Sequence, residues 1–301
     1  MKIIVSGSSG LVGSALMLAL QEAGHESVRL VRSQGADDDI RWDPEKGEID
    51  SRRLEGADAL VHLAGESISE GRWTAAKKAR IRDCRVQGTK LISETLASLE
   101  QKPATLVSAS AVGYYGDRGD EICDESSGPG AGFLPDLCRE WEAATEAART
   151  AGIRVVNLRI GVVLSTKGGA LAKMQPIFRC GLGGIIGSGR QYLSWISLHD
   201  LIRVILFTLT EESLAGPVNA VTPIAVTNRQ FTKILGRALH RPTIFPLPAI
   251  AARIILGEMA DGLLLSSARI LPKQLLDAGF PFFLDELSLA LEMILQQDSY
   301  A

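Results

Sequence analysis

Three glycines, Gly7, Gly10 and Gly13, mark the junction of a short apolar run, Ile3 to Ser6, with a helical pattern over Leu11 to Ala23. Glycine in such a turn lets the backbone approach a pyrophosphate, and the N–H groups opening the next helix add donors and a partial positive charge. The strand–turn–helix context is what gives a glycine triplet meaning. Gly7, Ser9, Gly10, Leu11, Val12 and Gly13 are therefore expected to hold a dinucleotide diphosphate. The second apolar run, Ser27 to Val31, ends in Val31-Arg32 without a carboxylate. An acid there would accept the ribose 2′-hydroxyl of NAD, whereas a guanidinium grips a 2′-phosphate in a fork. The expected cofactor is NADP; the other reading of Arg32 is a solvated surface arginine.

Arg85 is the second cation of interest. Ile81, Gly88, Ile92, Leu96 and Leu99 mark one face of a helix expected over 74–99, and Arg85 falls on that face. A charge facing inward needs a partner. A cofactor phosphate or substrate anion, with Arg80 helping, is one reading; a salt bridge to a neighbouring carboxylate is the other. Basic residues cluster from Lys77 to Lys90 and leave room for a partner surface on the remaining faces.

The elements around these residues alternate. Apolar runs at 3–6, 27–31, 59–63, 105–109 and 153–158 are separated by helical patterns at 11–23, 74–99 and 134–151. Short apolar strands with helices between them imply an α/β fold, a Rossmann-type doubly wound parallel sheet, which takes its ligand at the carboxyl ends of the strands. The expected organisation is a nucleotide-binding domain over 1–165 with return segments near 197–222. A smaller, mainly helical substrate domain is expected over 166–301. The glycine-rich stretch 181–189 reads as a long functional loop, followed by helices at 199–209 and 228–240.

Composition narrows the classes. Hydrophobic residues are 46% and charged residues 22%, enough for a core without staples, and the net charge of -3 disfavours a nucleic-acid partner. Four scattered cysteines read as reduced thiols, and the histidines at 25, 62, 199 and 240 lack metal-ligand spacing. No signal peptide or membrane span is visible, so the protein is expected to be cytoplasmic.

The GxxGxxG spacing resembles the extended short-chain dehydrogenase/reductase superfamily. Asp58 to Gly65 resembles the segment whose backbone, here Leu63 and Ala64, passes under the adenine ribose; His62 there reads as a packed, hydrogen-bonded residue. Arg85-Val86-Gln87-Gly88-Thr89 resembles Asn-Val-x-Gly-Thr with arginine for asparagine. Val107 to Gly116 resembles the serine segment, in which a hydroxyl polarises the substrate carbonyl. Ser110 is the best match and Ser108 the second. Arg159 to Leu164, including Val163, is similar to the stretch beside the nicotinamide.

The partner motif Tyr-x-x-x-Lys departs from this pattern. The spacing places Leu134 at the tyrosine and Cys138 at the lysine, with Glu142 following, and neither of the first two does the dyad's acid–base work. Tyr114 and Tyr115 are the nearest substitute acids or, alternatively, packing rings; Cys138 is a thiol for packing or reaction. Arg190 and Trp195 read either as anion binder and pocket wall or as surface and core residues. Over its whole length the chain resembles an uncharacterised epimerase-like family of atypical short-chain reductases with bacterial and mammalian members. That resemblance implies NADP binding and names no substrate. Two functions stay open: an NADP-dependent oxidoreductase or epimerase acting on a small polar or sugar-like substrate, and a non-catalytic NADP(H)-binding regulator. The missing dyad argues against a third, a nucleotide-sugar epimerase of ordinary mechanism.

Overall fold

The computed structural model describes residues 1–32 and 36–297. Eight strands among them form the main sheet: β1 (Lys2–Ser6), β2 (Glu26–Val31), β3 (Ile40–Asp43), β4 (Glu48–Ile49), β5 (Ala59–His62), β6 (Thr105–Ala111), β7 (Arg154–Ile160) and β8 (Gly216–Ala220). Their order is β8-β7-β6-β5-β1-β2-β3-β4. All neighbours run parallel except the edge pair β3–β4. The chain order reverses between β1 and β5, which puts the switch point of a doubly wound sheet beside the glycine turn.

The main helices are α1 (Leu11–Glu22), α2 (Ala75–Ser98), α3 (Phe133–Ala143), α4 (Glu146–Thr150), α5 (Gly169–Arg179), α6 (Leu198–Thr210) and α7 (Asn228–Ala238). Residues alternate between the two faces of a strand. Ile3, Val5, Val61, Val107, Val156 and Leu158 meet α1 and α6 on one face. Ile4, Leu60, Leu106 and Val155 meet Ile92, Leu96 and Ala148 of α2 and α4 on the other. Each such side chain, once buried, contributes about 1.5–3 kcal/mol.

On the second face the composition changes toward the carboxyl ends of the strands. The next row in register is Ser6, His62, Ser108 and Asn157, and beyond it comes Ser110, Arg159 and Asn219. A polar end thus grows out of an apolar sheet, and it positions the chemistry described below.

α2 begins where the side chain of Thr74 accepts the Lys77 amide, and it buries Ile81, Gly88, Ile92 and Leu96 as expected. The single helix expected over 134–151 is two. Thr145 turns its hydroxyl back onto the Glu142 carbonyl at 2.7 Å, and the chain restarts as α4. The short strands β3 and β4 and the helix α5 were not expected; α5 starts at Gly169 and contains Pro176, both poor helix signals.

The C-terminal region is mainly helical, with helices at Ala249–Leu256, Lys273–Asp277 and Leu287–Gln297. Leu287, Leu291 and Leu295 share a core with Trp195, Phe231 and Leu235. Two buried carboxylates tie it to α6 and to β8. Asp200 accepts the amides of Phe283 and Leu284, and Glu125 accepts those of Asn219, Lys273 and Gln274. Among the described residues no helix is long and apolar enough to cross a membrane, and no group of three or more His, Cys, Asp or Glu residues is arranged to hold a metal ion.

Candidate functional site

β1 leads into Gly7, whose φ of +70° is one that side chains rarely adopt. A Cβ there would sit 2.7 Å from the Ala64 nitrogen and the Leu63 carbonyl carbon, and one at Gly13 would sit 2.1 Å from the Gly7 oxygen. These two positions admit only glycine. The Gly10 amide closes the turn on the Gly7 carbonyl at 3.0 Å. α1 then starts with no side chain capping it and no acid in its first turn. Its first amides are therefore open to an anion. Ser9 and Gly10 are exposed, Leu11 and Val12 half-buried. Gly168 passes over Leu11, 3.5 Å from the place a Cβ would take.

At the end of β2, Val31 is half-buried and Arg32 exposed. Arg29 holds the Asp39 carboxylate through Nε at 2.8 Å and Nη2 at 2.6 Å, and the Ala36 amide donates to it as well. Asp39 is thus committed elsewhere, while Arg32 makes no ion pair among the described residues.

Leu63 donates its amide to both the carbonyl and the hydroxyl oxygen of Ser6 at 3.2 Å. His62 is fully buried, with Nδ1 2.6 Å from the Ser6 hydroxyl. Burial, reinforced by the charge of Arg85, pushes His62 down to about 4, so it is a neutral packed residue as expected. Its Nε2, the hydroxyl of Ser108 and Oδ1 of Asn157 are buried without a protein partner. They occupy consecutive strands of one row.

Arg85 does not take the carboxylate partner offered as an alternative. It donates to the carbonyls of Glu66 at 3.0 Å and Ile81 at 3.2 Å and lies 5.0 Å from the Trp141 ring centroid. Its burial pulls the guanidinium pKa down, an effect that an anion would offset. The Glu66 carboxylate goes to Lys77 at 2.6 Å and to the exposed Arg80 at 3.5 Å. Lys78, Arg82 and Lys90 pair with Glu258, Glu140 and Glu94, so the Lys77–Lys90 stretch is not a free cationic face.

The carboxyl ends of β6 and β7 hold a network that the sequence pattern did not disclose. Ser110 donates to Oε1 of Glu142 at 2.7 Å. Arg159 grips the same carboxylate with Nε on Oε1 and Nη2 on Oε2, both at 2.8 Å. Arg159 Nη1 reaches the Tyr115 hydroxyl at 3.0 Å, and Tyr115 donates to Asn219 at 2.7 Å. Tyr114 lies against the guanidinium, 3.4 Å from ring centroid to Cζ. Burial pushes Tyr115 up to about 12, so of the two tyrosines Tyr115 serves structure. Tyr114 is half-buried, and its hydroxyl has no protein partner among the described residues. Glu142 stood next in the dyad spacing and Arg159 in the nicotinamide stretch; what the sequence lacked was any sign that they meet.

Leu134 lies against Gly113, 3.3 Å from its would-be Cβ. Cys138 donates to the Ala111 carbonyl, and burial, then the charge of Glu142, pushes its thiol up to about 12. It is a packing residue. Val163 pairs with Ile196 beside the turn 167–169. Trp195 is fully buried and donates to the Ile224 carbonyl, a core residue and not a pocket wall. Arg190 is exposed.

Residues 3–220 match the NAD dependent epimerase/dehydratase family, and residues 247–294 match a domain of unknown function, DUF1731. The chain is 47% identical over 281 residues to Epimerase family protein Mb2239 of Mycobacterium bovis, covering 93% of each chain. It is 35% identical over 300 residues to Epimerase family protein SDR39U1 of Homo sapiens, covering 98% and 99%. The crystal structure of human epimerase family protein SDR39U1 (isoform2) with NADPH has a TM-score of 0.90 at 31% identity, covering 98% of this chain and 99% of that one. The chain belongs to the NAD dependent epimerase/dehydratase family.

Proposed function

We propose that this protein binds NADP(H) and acts as an oxidoreductase or epimerase on a small polar substrate. The observation that carries the reading is the glycine cradle. Side chains at Gly7 and Gly13 would collide with backbone, and the helix behind them opens without a cap. An anionic diphosphate fits those donors, with Arg32 as the cation for a 2′-phosphate. The similar human protein crystallised with NADPH supports the choice of cofactor. Gly7, Ser9, Gly10, Leu11, Val12 and Gly13 would hold the diphosphate, Val31 and Arg32 the adenosine end, Leu63 and Ala64 the ribose, and Val163 the nicotinamide end. Arg85 and Ser108 stand behind them, and Arg80 reaches the site only through Glu66. Bound NADP(H) supplies or accepts a hydride.

The proton that accompanies it needs a carrier. Ser110 already donates its hydroxyl to a carboxylate fixed by Arg159, so its oxygen keeps only acceptor capacity. A substrate hydroxyl would pass its proton to Ser110 Oγ as the Ser110 proton moves to Glu142, and the reverse holds in reduction. Tyr114 is the second proposed contact. The role of Ser110 thereby shifts from donor toward a carbonyl to relay.

A second reading, a non-catalytic NADP(H)-binding regulator, draws its support from Leu134 and Cys138 in place of the dyad. NADPH oxidation screened against aldehydes, ketones and nucleotide sugars separates the two. Turnover that falls in Ser110→Ala or Tyr114→Phe supports the enzyme; tight NADPH binding with no turnover across the screen supports the regulator.

A further inference from the structure

A groove of about 720 Å³ opens over the C-terminal half of α7. Its floor is Gly236 and Thr243. A Cβ at Gly236 would stand 2.4 Å from Thr243 Cγ2 and 3.0 Å from the Arg241 oxygen, so the chain at 241–243 lies directly on the helix. Lys233, Arg237, His240 and Arg241 form the walls, and no acidic residue lines them. Lys233 and Arg237 are one turn apart and share a face.

Among the described residues the side chains of Lys233, Arg237 and His240 make no hydrogen bond or ion pair. Arg241 is held by the Arg179 carbonyl at 2.8 Å and the His240 carbonyl at 3.1 Å, both neutral. The amides of Leu239, His240 and Arg241 take the carbonyls of Leu235, Arg237 and Gly236, so the side chains of Lys233, Arg237 and His240 do not cap those carbonyls. His240 has φ +53°, the one left-handed residue other than glycine among those described. That turn folds residues 241–243 back onto the helix. Lys233, Arg237 and Arg241 are exposed cations, and an anion lying among them would attract all three at once.

We infer that this groove is a binding site for a phosphorylated small molecule carrying at least two negative charges, separate from the glycine cradle. The guanidinium of Arg237 and the free Nη2 of Arg241 match phosphate oxygens, and the Thr243 hydroxyl, without a protein partner, adds a neutral donor. Four residues beyond Thr243 the chain reaches Leu247, whose amide donates to Ile185 and whose carbonyl accepts from Gly187. The segment that follows the groove is thereby bonded to the 181–189 loop.

The test titrates the full chain, kept saturated with NADPH, with inorganic pyrophosphate at constant ionic strength and follows amide NMR shifts. The site predicts saturable shifts at Gly236 and Thr243 and a dissociation constant at least tenfold higher in Lys233→Glu/Arg237→Glu. An Arg237→Gln variant, checked to melt like the parent, must weaken binding in the same direction. Absence of saturable shifts at both amides up to millimolar pyrophosphate, or an unchanged constant in the folded variants, overturns the site.

Discussion

Arg159 and Glu142 meet as a two-pronged ion pair, each prong 2.8 Å long, with side-chain exposures of only 4% and 13%. Arg159 comes from β7 and Glu142 from α3, so the pair clamps a helix to the carboxyl edge of the sheet. Removing one partner of a buried pair leaves the other charge stranded. Glu142→Ala is expected to destabilise the fold by roughly 3–5 kcal/mol, measured by urea unfolding. A loss under about 1 kcal/mol, the range of surface pairs, would show that the pair is solvated.

The glycine cradle makes a separate prediction. At Gly13 a Cβ would lie 2.1 Å from the Gly7 oxygen, a backbone atom that cannot swing away. Gly13→Ala is expected to displace the turn and raise the NADPH dissociation constant at least tenfold. Fluorescence titration of NADPH checks this, and an affinity equal to the parent's would mean that the turn does not touch the cofactor.

His62 gives a pH dependence. Its folded pKa is about 4 against an ordinary 6.5, so between these values the unfolded chain binds the extra proton. The stability is fully present above about 6.5 and is lost as pH falls toward 4. Between pH 7 and 5 the expected loss from this residue is about 2 kcal/mol. His62→Gln should flatten that slope in urea unfolding. An unchanged slope in the variant would place the titration elsewhere.

Thiol reactivity follows burial. Cys180 is exposed and Cys84 half-buried, whereas Cys123 and Cys138 are buried with thiols pushed up by that burial. Iodoacetamide at about pH 8 is expected to label Cys180 first and to spare Cys123 and Cys138 until the protein unfolds. Mass spectrometry of tryptic peptides reads this directly, and early labelling of Cys138 would restore it as a reactive group.

How much of this was legible depended on sequence distance. Strand β1, the glycine turn and α1 are contiguous, so residue type and spacing gave both the elements and the anion cradle. Arg32 followed from one missing carboxylate at the end of β2. The network spans Ser110, Tyr115, Glu142, Arg159 and Asn219: the register of β6, β7 and β8 aligns Ser110, Arg159 and Asn219, while Tyr115 comes from the turn after β6 and Glu142 from α3. No local pattern announces such a meeting. At the break between α3 and α4 the Thr145 hydroxyl turns back on the Glu142 carbonyl, a contact that helical periodicity does not show. β3 and β4 are too short to show an alternation, and α5 hides behind its glycines and Pro176. Arg85 lies half-buried on the helix face where the spacing put it, but its partners are carbonyls and a ring, which carry no charge signal in a sequence.

The central claim is that a dinucleotide with an extra phosphate lies in the cradle, and Arg32→Ala tests it most directly. NADPH and NADH are titrated in parallel against the parent and the variant. The account predicts a loss of about tenfold or more for NADPH and little change for NADH. Equal losses for the two cofactors, or no NADPH binding by the parent, would contradict it.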